Sequence, residues 1–392
     1  MTAQTVSVLI PTFNRAVWLT QSLDSILAQT RRPDEIIVIN DGSTDDTLER
    51  LEPYGPHIRI INQDNAGKSA ALNRGLAAAT GDLIWVFDDD DLATHDALEK
   101  LLKLLARNPE AGFAYGRHNR FETRPNGKTR WRSTGYWRNC PPEDFLFESL
   151  LDMFAHQPGI LVKKSLFERA GPFDETLIRS QDYEMLLRLA VLARPASTER
   201  IVFHQRQHDL PRGTAKQVIC GEDRMRVWQK YDRQIFQRLA GSLPLGKYLP
   251  ANCQLTAPGA TRRALIRRGI VMTRKCLLSQ ASEDFHRAAT IAERSLSREE
   301  AADLRKMLMF KYGCDKAEPD PQFCQMLFSV KSTSAVGAEI SSVVARALVW
   351  RVRHALQRGK FLMAFRLASL IIGLSMPRWH EAREASSSYV RR

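Results

Sequence analysis

Short apolar runs alternate with segments of helical periodicity through the first part of the chain. The runs are Val6 to Ile10, Ile36 to Ile39, Ile58 to Ile61 and Leu83 to Phe87, rich in the β-branched and aromatic side chains that suit a pleated surface. Between them, Trp18, Leu19, Leu23, Ile26 and Leu27 recur at helical spacing over Val17 to Leu27. Asp45 to Leu51 and Ala70 to Ala79, the latter with Leu72 and Leu76, also read as helices. Strands apolar at every position and separated by helices predict βαβ units in a mainly parallel sheet covered on both faces. In such a sheet the functional loops lie beyond the carboxyl ends of the strands. Three of the runs end in polar sequence there: Thr12-Phe13-Asn14-Arg15, Asn40-Asp41-Gly42-Ser43 and Asp88-Asp89-Asp90-Asp91. The pattern points to one site.

Further along, a long amphipathic helix is predicted over Thr94 to Arg107, and Phe121 to Arg132 reads as a hairpin around the turn-forming pair Asn126-Gly127. Ser165-Leu166-Phe167-Glu168 has the form of a capping box, and Asp182 to Leu192 carries apolar residues at helical spacing. The mixed α/β pattern ends near Leu239. After the Gly- and Pro-rich stretch Gly241 to Pro258 the chain reads as helical: Thr261 to Leu278, Asp284 to Leu296, Ser297 to Phe310, Ser341 to Gln357 and Phe361 to Leu374. Two domains are therefore predicted, residues 1–240 of mixed α/β type and residues 241–392 helical. The pair of helices about Gly359 has the look of a tetratricopeptide-like hairpin repeat, although no full repeat can be counted.

The 392 residues, 44% of them hydrophobic, suffice for a sizeable core and more than one domain. A net charge of +13 calls for an anionic partner, whether nucleotide phosphate, nucleic acid or an acidic membrane face. Nucleic acid is disfavoured by the lack of zinc-finger spacing and of an RNA-recognition aromatic motif. The six cysteines form no C-x-x-C pair, which speaks against a zinc knuckle or a disulfide scaffold and fits a reducing cytoplasm. Val6 to Ile10 follows no basic leader and reads as a first strand rather than a secretory signal. Phe361 to Met376 is interrupted by Arg366 and falls short of the ~18 to 20 apolar residues of a spanning helix. Arg351, Arg353, Arg358, Lys360 and Arg366, interleaved with Trp350, Leu356, Phe361 and Phe365, suit a helical face resting on anionic lipid at the inner side of a membrane, or on a partner protein.

Four adjacent carboxylates at Asp88 to Asp91 repel one another unless a cation offsets them. A divalent metal would do so, and hard carboxylate oxygens suit Mg²⁺ or Mn²⁺. The plainer alternative is a solvated acidic turn ahead of the next helix; the position directly after a buried strand favours the metal. Asp41 to Asp46 is ordinary turn and cap chemistry by itself, with Ser43 or Thr44 as the cap. Asn65-Ala66-Gly67-Lys68 opens a helix whose amino end and lysine can attract phosphate. Asp182 is either a helix cap or something more, and His208 is either a metal ligand or a structural histidine.

Taken together these segments resemble the family 2 glycosyltransferases. The matching residues are Val8 to Arg15, Glu35 to Thr47, Asn65 to Gly75 and Gly81 to Asp91. The likeness is strong over about the first 120 residues and looser to about residue 215, through Gly171-Pro172-Phe173-Asp174-Glu175 and the Asp182 segment; the helical part lies outside it. The resemblance implies a GT-A-type fold, a Rossmann-like mainly parallel sheet flanked by helices. It implies that Pro11, Thr12, Asn14, Arg15 and Asp41 line a base and ribose pocket, that Lys68 lies near the nucleotide phosphates, and that Asp88 and Asp89 lie near the ribose and donor sugar. By the same likeness Asp90, second acidic position of a D-x-D pattern, holds the metal. The family's Glu-Asp pair appears as Gln181-Asp182, with Asp182 as catalytic base, and Arg206-x-His208 resembles a late motif whose histidine approaches metal or pyrophosphate.

The implied activity is inverting transfer of a sugar from a nucleotide-diphosphate sugar to the hydroxyl of a saccharide or lipid-linked acceptor, in cell-envelope polysaccharide or glycolipid synthesis. The segment Arg117 to Cys140, with Phe121, Trp131, Tyr136 and Trp137 among basic residues, is either an acceptor-binding face or a hairpin that packs its rings. The alternative to an enzyme is a non-catalytic scaffold that senses nucleotide through its first domain and binds a partner through its helices.

Overall fold

The computed structural model describes residues 4–124, 127–208, 212–214, 217–219, 224–257, 259–291, 294–309 and 320–376. The chain divides into two compact units, residues 1–232 and 233–392.

In the first unit β1 (Val6–Thr12), β2 (Glu35–Asn40), β3 (Arg59–Asn62) and β4 (Leu83–Val86) run parallel in the order β3-β2-β1-β4. The helices α1 (Ala16–Leu27), α2 (Thr47–Leu51) and α3 (Lys68–Ala78) make the crossovers. Beyond β4 the sheet continues through β8 (Ile160–Lys163), β6 (Phe113–Thr123), β9 (Pro195–Arg206) and β5 (Leu92–Ala93), with β7 (Thr129–Thr134) on β6. Here β8 is antiparallel to both β4 and β6, and β5 to β9, while β6 and β9 are parallel. The result is a mixed, mostly parallel sheet.

Successive side chains of a strand face opposite ways, which divides the core in two. Val8, Ile10, Val38 and Trp85 pack against Leu19, Leu23 and Ile26 of α1 and Leu98, Leu101 and Leu105 of α4 (Ala97–Arg107). Leu9, Ile37, Ile39, Ile84 and Val86 pack on the other face against Ala71 and Leu72 of α3, with Met185, Leu186 and Leu189 of α7 (Gln181–Leu192). Helices α5 (Phe145–Leu151) and α6 (Lys164–Ala170) complete that layer.

Several local expectations need correction. The capping box at Ser165 is absent: α6 begins at Lys164 after an N-cap at Lys163, so Ser165 is already inside the helix. Ser43 and Thr44 do not cap α2, whose N-cap is Asp46. The helix expected from Thr94 begins at Ala97, because the preceding Leu92 and Ala93 pair with β9. The β6–β7 hairpin forms with Phe121 opposite Trp131 and Gly127 at φ +77°; Asn126 lies outside the described residues.

The division between the units falls within α8 (Arg224–Ser242). The second unit contains α9 (Ala260–Arg274), α10 (Leu278–Thr290), α11 (Arg298–Arg305), α12 (Pro321–Thr333), α13 (Ala335–Ala347), α14 (Val349–Gln357) and α15 (Phe361–Ser375). The segment expected as one helix over Ser341 to Gln357 is two, α13 and α14, and α12 was not anticipated. Ser297 and Glu300 form a capping box at the start of α11. Glu300 also receives Nε and Nη2 of the buried Arg262 at 2.9 and 2.7 Å, while the same guanidinium donates to the carbonyls of Arg294 and Ser295. Removing one partner of a buried pair strands the other's charge, so Glu300→Ala is expected to lower the urea-unfolding free energy of this unit by about 3–5 kcal/mol. An unchanged midpoint would refute that role.

Candidate active site

The carboxyl ends of β1, β2 and β4 lie on one edge of the sheet, and the loops that follow them interlock. After β1 the chain turns at Asn14, whose φ of +52° is a left-handed conformation that asparagine tolerates better than most residues. Asn14 N donates to Ser43 Oγ at 3.0 Å, and its Oδ1 accepts from Thr44 N at 2.7 Å. Asn14 thus joins the first loop to the second. Asp41, buried at the end of β2, accepts from Gln63 Nε2 (2.7 Å), Ala66 N and Gly67 N (2.9 Å each) and Asn65 Nδ2 (3.1 Å). Its carboxylate therefore organises the loop that leads into α3. Pro11, buried near the carboxyl end of β1, is paired with Ile39 of β2.

Gly42 makes this junction possible. It sits at φ +75°, and a Cβ there would lie 2.8 Å from the Asn65 backbone nitrogen. Gly42→Ala is therefore expected to cost more than about 1 kcal/mol of stability by displacing the 63–67 loop. Thermal melting of the variant beside the parent would read the loss.

The acidic cluster is sorted by its neighbours. Asp89 is buried and turned inward, accepting from Thr12 Oγ1 and Arg15 Nη1, both at 2.8 Å. Burial pushes its carboxyl above the usual carboxylate range. Asp90 Oδ2 meets Arg15 Nη1 at 3.1 Å and His208 Nε2 at 2.9 Å. Asp88 accepts from Lys68 Nζ at 2.5 Å, and Asp91 accepts from the Arg206 backbone N–H at 2.8 Å. One oxygen from each of Asp88, Asp90 and Asp91 lies within 4.8 Å of the others. Three hard carboxylate donors so gathered, with an imidazole at the edge, fit Mg²⁺ or Mn²⁺. The likeness to the family singled out Asp90; the structure adds Asp88 and Asp91 to it and turns Asp89 away.

Arg206 is the scaffold of this corner. It is buried, its Nε donates to the Asp90 carbonyl at 2.8 Å, Nη2 to Gln21 Oε1 at 2.7 Å and Nη1 to Thr123 Oγ1 at 2.5 Å. The guanidinium lies over the rings of Phe121 and Trp18, 4.6 and 5.4 Å from their centroids, and the His208 ring is 4.6 Å from Trp18. Neither Gln21, Trp18 nor Thr123 carried a signal in the sequence, since each looks like an ordinary helix or strand residue.

Asp182 lies in the first turn of α7, where its Oδ1 accepts from Tyr183 N at 2.9 Å. Ser180 leads into the helix at φ +59°, and its hydroxyl donates to Asp232 at 3.0 Å. Gln181 is buried. Burial pulls the Lys68 ammonium down, but the charges of Asp88 and then Asp182 outweigh it and hold the amine above its usual value. Lys68 thereby links the cluster electrostatically to Asp182. In the Arg117 to Cys140 segment Phe121, Tyr136 and Trp137 are packed, Trp137 against Tyr115 and Phe154, while Trp131 is exposed.

A mostly parallel sheet flanked by helices, with interlocked loops and a carboxylate cluster at the strand ends, defines a GT-A-type fold. Residues 7–171 match the family described as glycosyl transferase family 2. Similar proteins include an uncharacterized glycosyltransferase of Rickettsia bellii, 28% identical over 64% of this chain and 37% of its own length. The chondroitin synthase of Pasteurella multocida is 31% identical over 52% of this chain and 20% of its own. The chain spans less than two thirds of the length of these relatives. Among solved structures, S. aureus TarS 1-349 in complex with UDP-GlcNAc shares the fold at a TM-score of 0.51 and 16% identity, covering 92% of this chain and 89% of that one.

Proposed function

We infer that the chain is an inverting glycosyltransferase that moves a sugar from a nucleotide-diphosphate sugar to the hydroxyl of a saccharide or lipid-linked acceptor, with residues 1–240 as catalytic domain and 241–392 as an accessory helical one. The observation that carries this reading is the grouping of Asp88, Asp90 and Asp91 around one point, with the Lys68 ammonium paired to Asp88. Asp88, Asp90 and Asp91, with His208 beside them, would hold Mg²⁺ or Mn²⁺, which when bound supplies Lewis-acid stabilisation to a departing diphosphate.

The chain's own residues account for the rest. Thr12, Asn14, Arg15 and Asp41 shape the loops beneath the nucleotide, with Pro11 at the strand end and Asp89 fixing Arg15. Lys68, a cation at the amino end of α3, suits the diphosphate oxygens. Asp182 takes the acceptor hydroxyl's proton as that oxygen bonds to the anomeric carbon and the bond to the diphosphate breaks on the opposite face. A diphosphate is already a good leaving group, so no second carboxylate acid is required, unlike glycoside hydrolysis. The names of the chondroitin and hyaluronan synthases among the similar proteins support a polysaccharide product. No helix among the described residues is long and apolar enough to cross a membrane.

The test is a thermal-shift screen of nucleoside diphosphates and nucleotide sugars with and without Mn²⁺. A ligand at a hundred times its Kd stabilises the native state by about 2.7 kcal/mol, and that shift is expected only with the cation present. Absence of any cation-dependent shift would overturn the enzymatic reading; binding without turnover would leave a nucleotide-sensing scaffold.

A further inference from the structure

The last two described helices are an unusual pair. Between Glu339 and Glu381 the sequence contains no acidic residue, while Arg346, Arg351, Arg353, Arg358, Lys360 and Arg366 fall within the described part of that stretch. All but Arg351 are exposed. The hairpin α14–α15 is equally one-sided in its apolar groups. On α15 Ala364, Leu367, Leu370 and Leu374 are buried, yet Phe361, Phe365, Ala368 and Ile372 recur at helical spacing along the opposite side, with Phe361 69% and Phe365 71% exposed. That stripe borders an open groove of about 500 Å³ lined by Val349, Val352 and Leu356 of α14 and Ala368, Ile371 and Ile372 of α15.

We propose that this hairpin seats the protein on an anionic lipid surface, its exposed rings entering the headgroup boundary while the surrounding cations meet lipid phosphates. Large apolar groups left in water at such density mark an interaction site, and the charges decide its occupant. A second copy of the chain carries the same cations and no carboxylate in this stretch, so two copies repel at this face. Phe361 and Leu362 directly follow Arg358-Gly359-Lys360, Phe365 comes one helical turn later, and Gly359 turns the chain at φ +68°. Apolar and cationic groups are thus brought to one end of the hairpin, the arrangement that lets rings insert while arginine and lysine stems extend to the phosphate level. An acidic protein helix would use the groove and the charges but has no need of rings projecting at the turn. The inference is independent of the proposed chemistry, since its residues lie in the second unit.

The experiment is co-sedimentation of the full chain with phosphatidylcholine vesicles, with and without a third of phosphatidylglycerol, at low and moderate salt. Binding is expected only to the anionic vesicles and is expected to weaken with salt. The triple variant R353E/R358E/K360E should lose at least about tenfold in partitioning, and F361S/F365S should also lose binding. All five side chains are exposed, so both variants should keep the parent's circular dichroism and melting temperature. Failure of the parent to sediment with anionic vesicles at low salt overturns the proposal, as does unchanged binding by both variants. A concentration-dependent dimer abolished by F361S/F365S would assign the face to a second copy instead.

Discussion

Asp182→Asn is expected to reduce transfer by about 10²- to 10⁴-fold, with the affinity for donor little changed. The substitution preserves shape, and the asparagine oxygen can still accept from the Tyr183 N–H that Asp182 Oδ1 now receives at 2.9 Å. The start of α7 is therefore retained. What is lost is the lone pair able to take up a proton, together with the negative charge that helps to hold Lys68 protonated. Asp88 keeps its contact with Lys68 at 2.5 Å, so the cation stays in place. The measurement is a paired one: turnover at saturating donor and acceptor, and donor affinity by calorimetry. A variant with near-parental turnover would remove Asp182 from the reaction, whereas equal loss of donor affinity and turnover would make it a binding residue.

Asp90→Asn should abolish the cation dependence of donor binding, lowering cation-supported affinity by about 10²-fold or more. Asp90 is where the acidic cluster, Arg15 and His208 meet, and Asp88 and Asp91 are the only other carboxylates grouped with it among the described residues. Asp89→Asn supplies the contrast. Its oxygens are engaged by Thr12 and Arg15, so the expected result is a lower melting temperature with the cation dependence preserved. If Asp89→Asn instead removed the dependence and Asp90→Asn spared it, the sorting of the cluster described above would be wrong. Calorimetric titration with a nucleoside diphosphate at fixed and zero Mn²⁺ distinguishes the outcomes.

Much of the first unit can be read directly from local pattern. The continuous apolar runs at Val6, Ile36 and Leu83 become buried parallel strands because helices cover both faces of the sheet. Where the reading slips, a distant partner is responsible. Leu92 and Ala93 look like the approach to a helix but are captured by Phe203 and His204 of β9. Ser165 has the spacing of a capping residue, yet β8 runs straight into α6 and leaves it within the first turn. In the helical unit the boundary between α13 and α14 falls at Leu348, which is buried and carries no helix-breaking signal.

By itself the sequence determined the alternation of strands and helices, the polar loops at the strand ends and the residues available for chemistry, because hydrophobic period and turn composition are properties of neighbours along the chain. Only the tertiary structure decided which carboxylate faces which partner. His208 reaches Asp90 across 118 positions and Arg206 reaches Asp91 across 115, contacts that exist because Leu92 and Ala93, directly after the cluster, pair with His204 and Phe203 of β9. Four identical acids in a row are chemically equivalent as a string; Thr12, Arg15, Lys68, Arg206 and His208 make them different by where they stand.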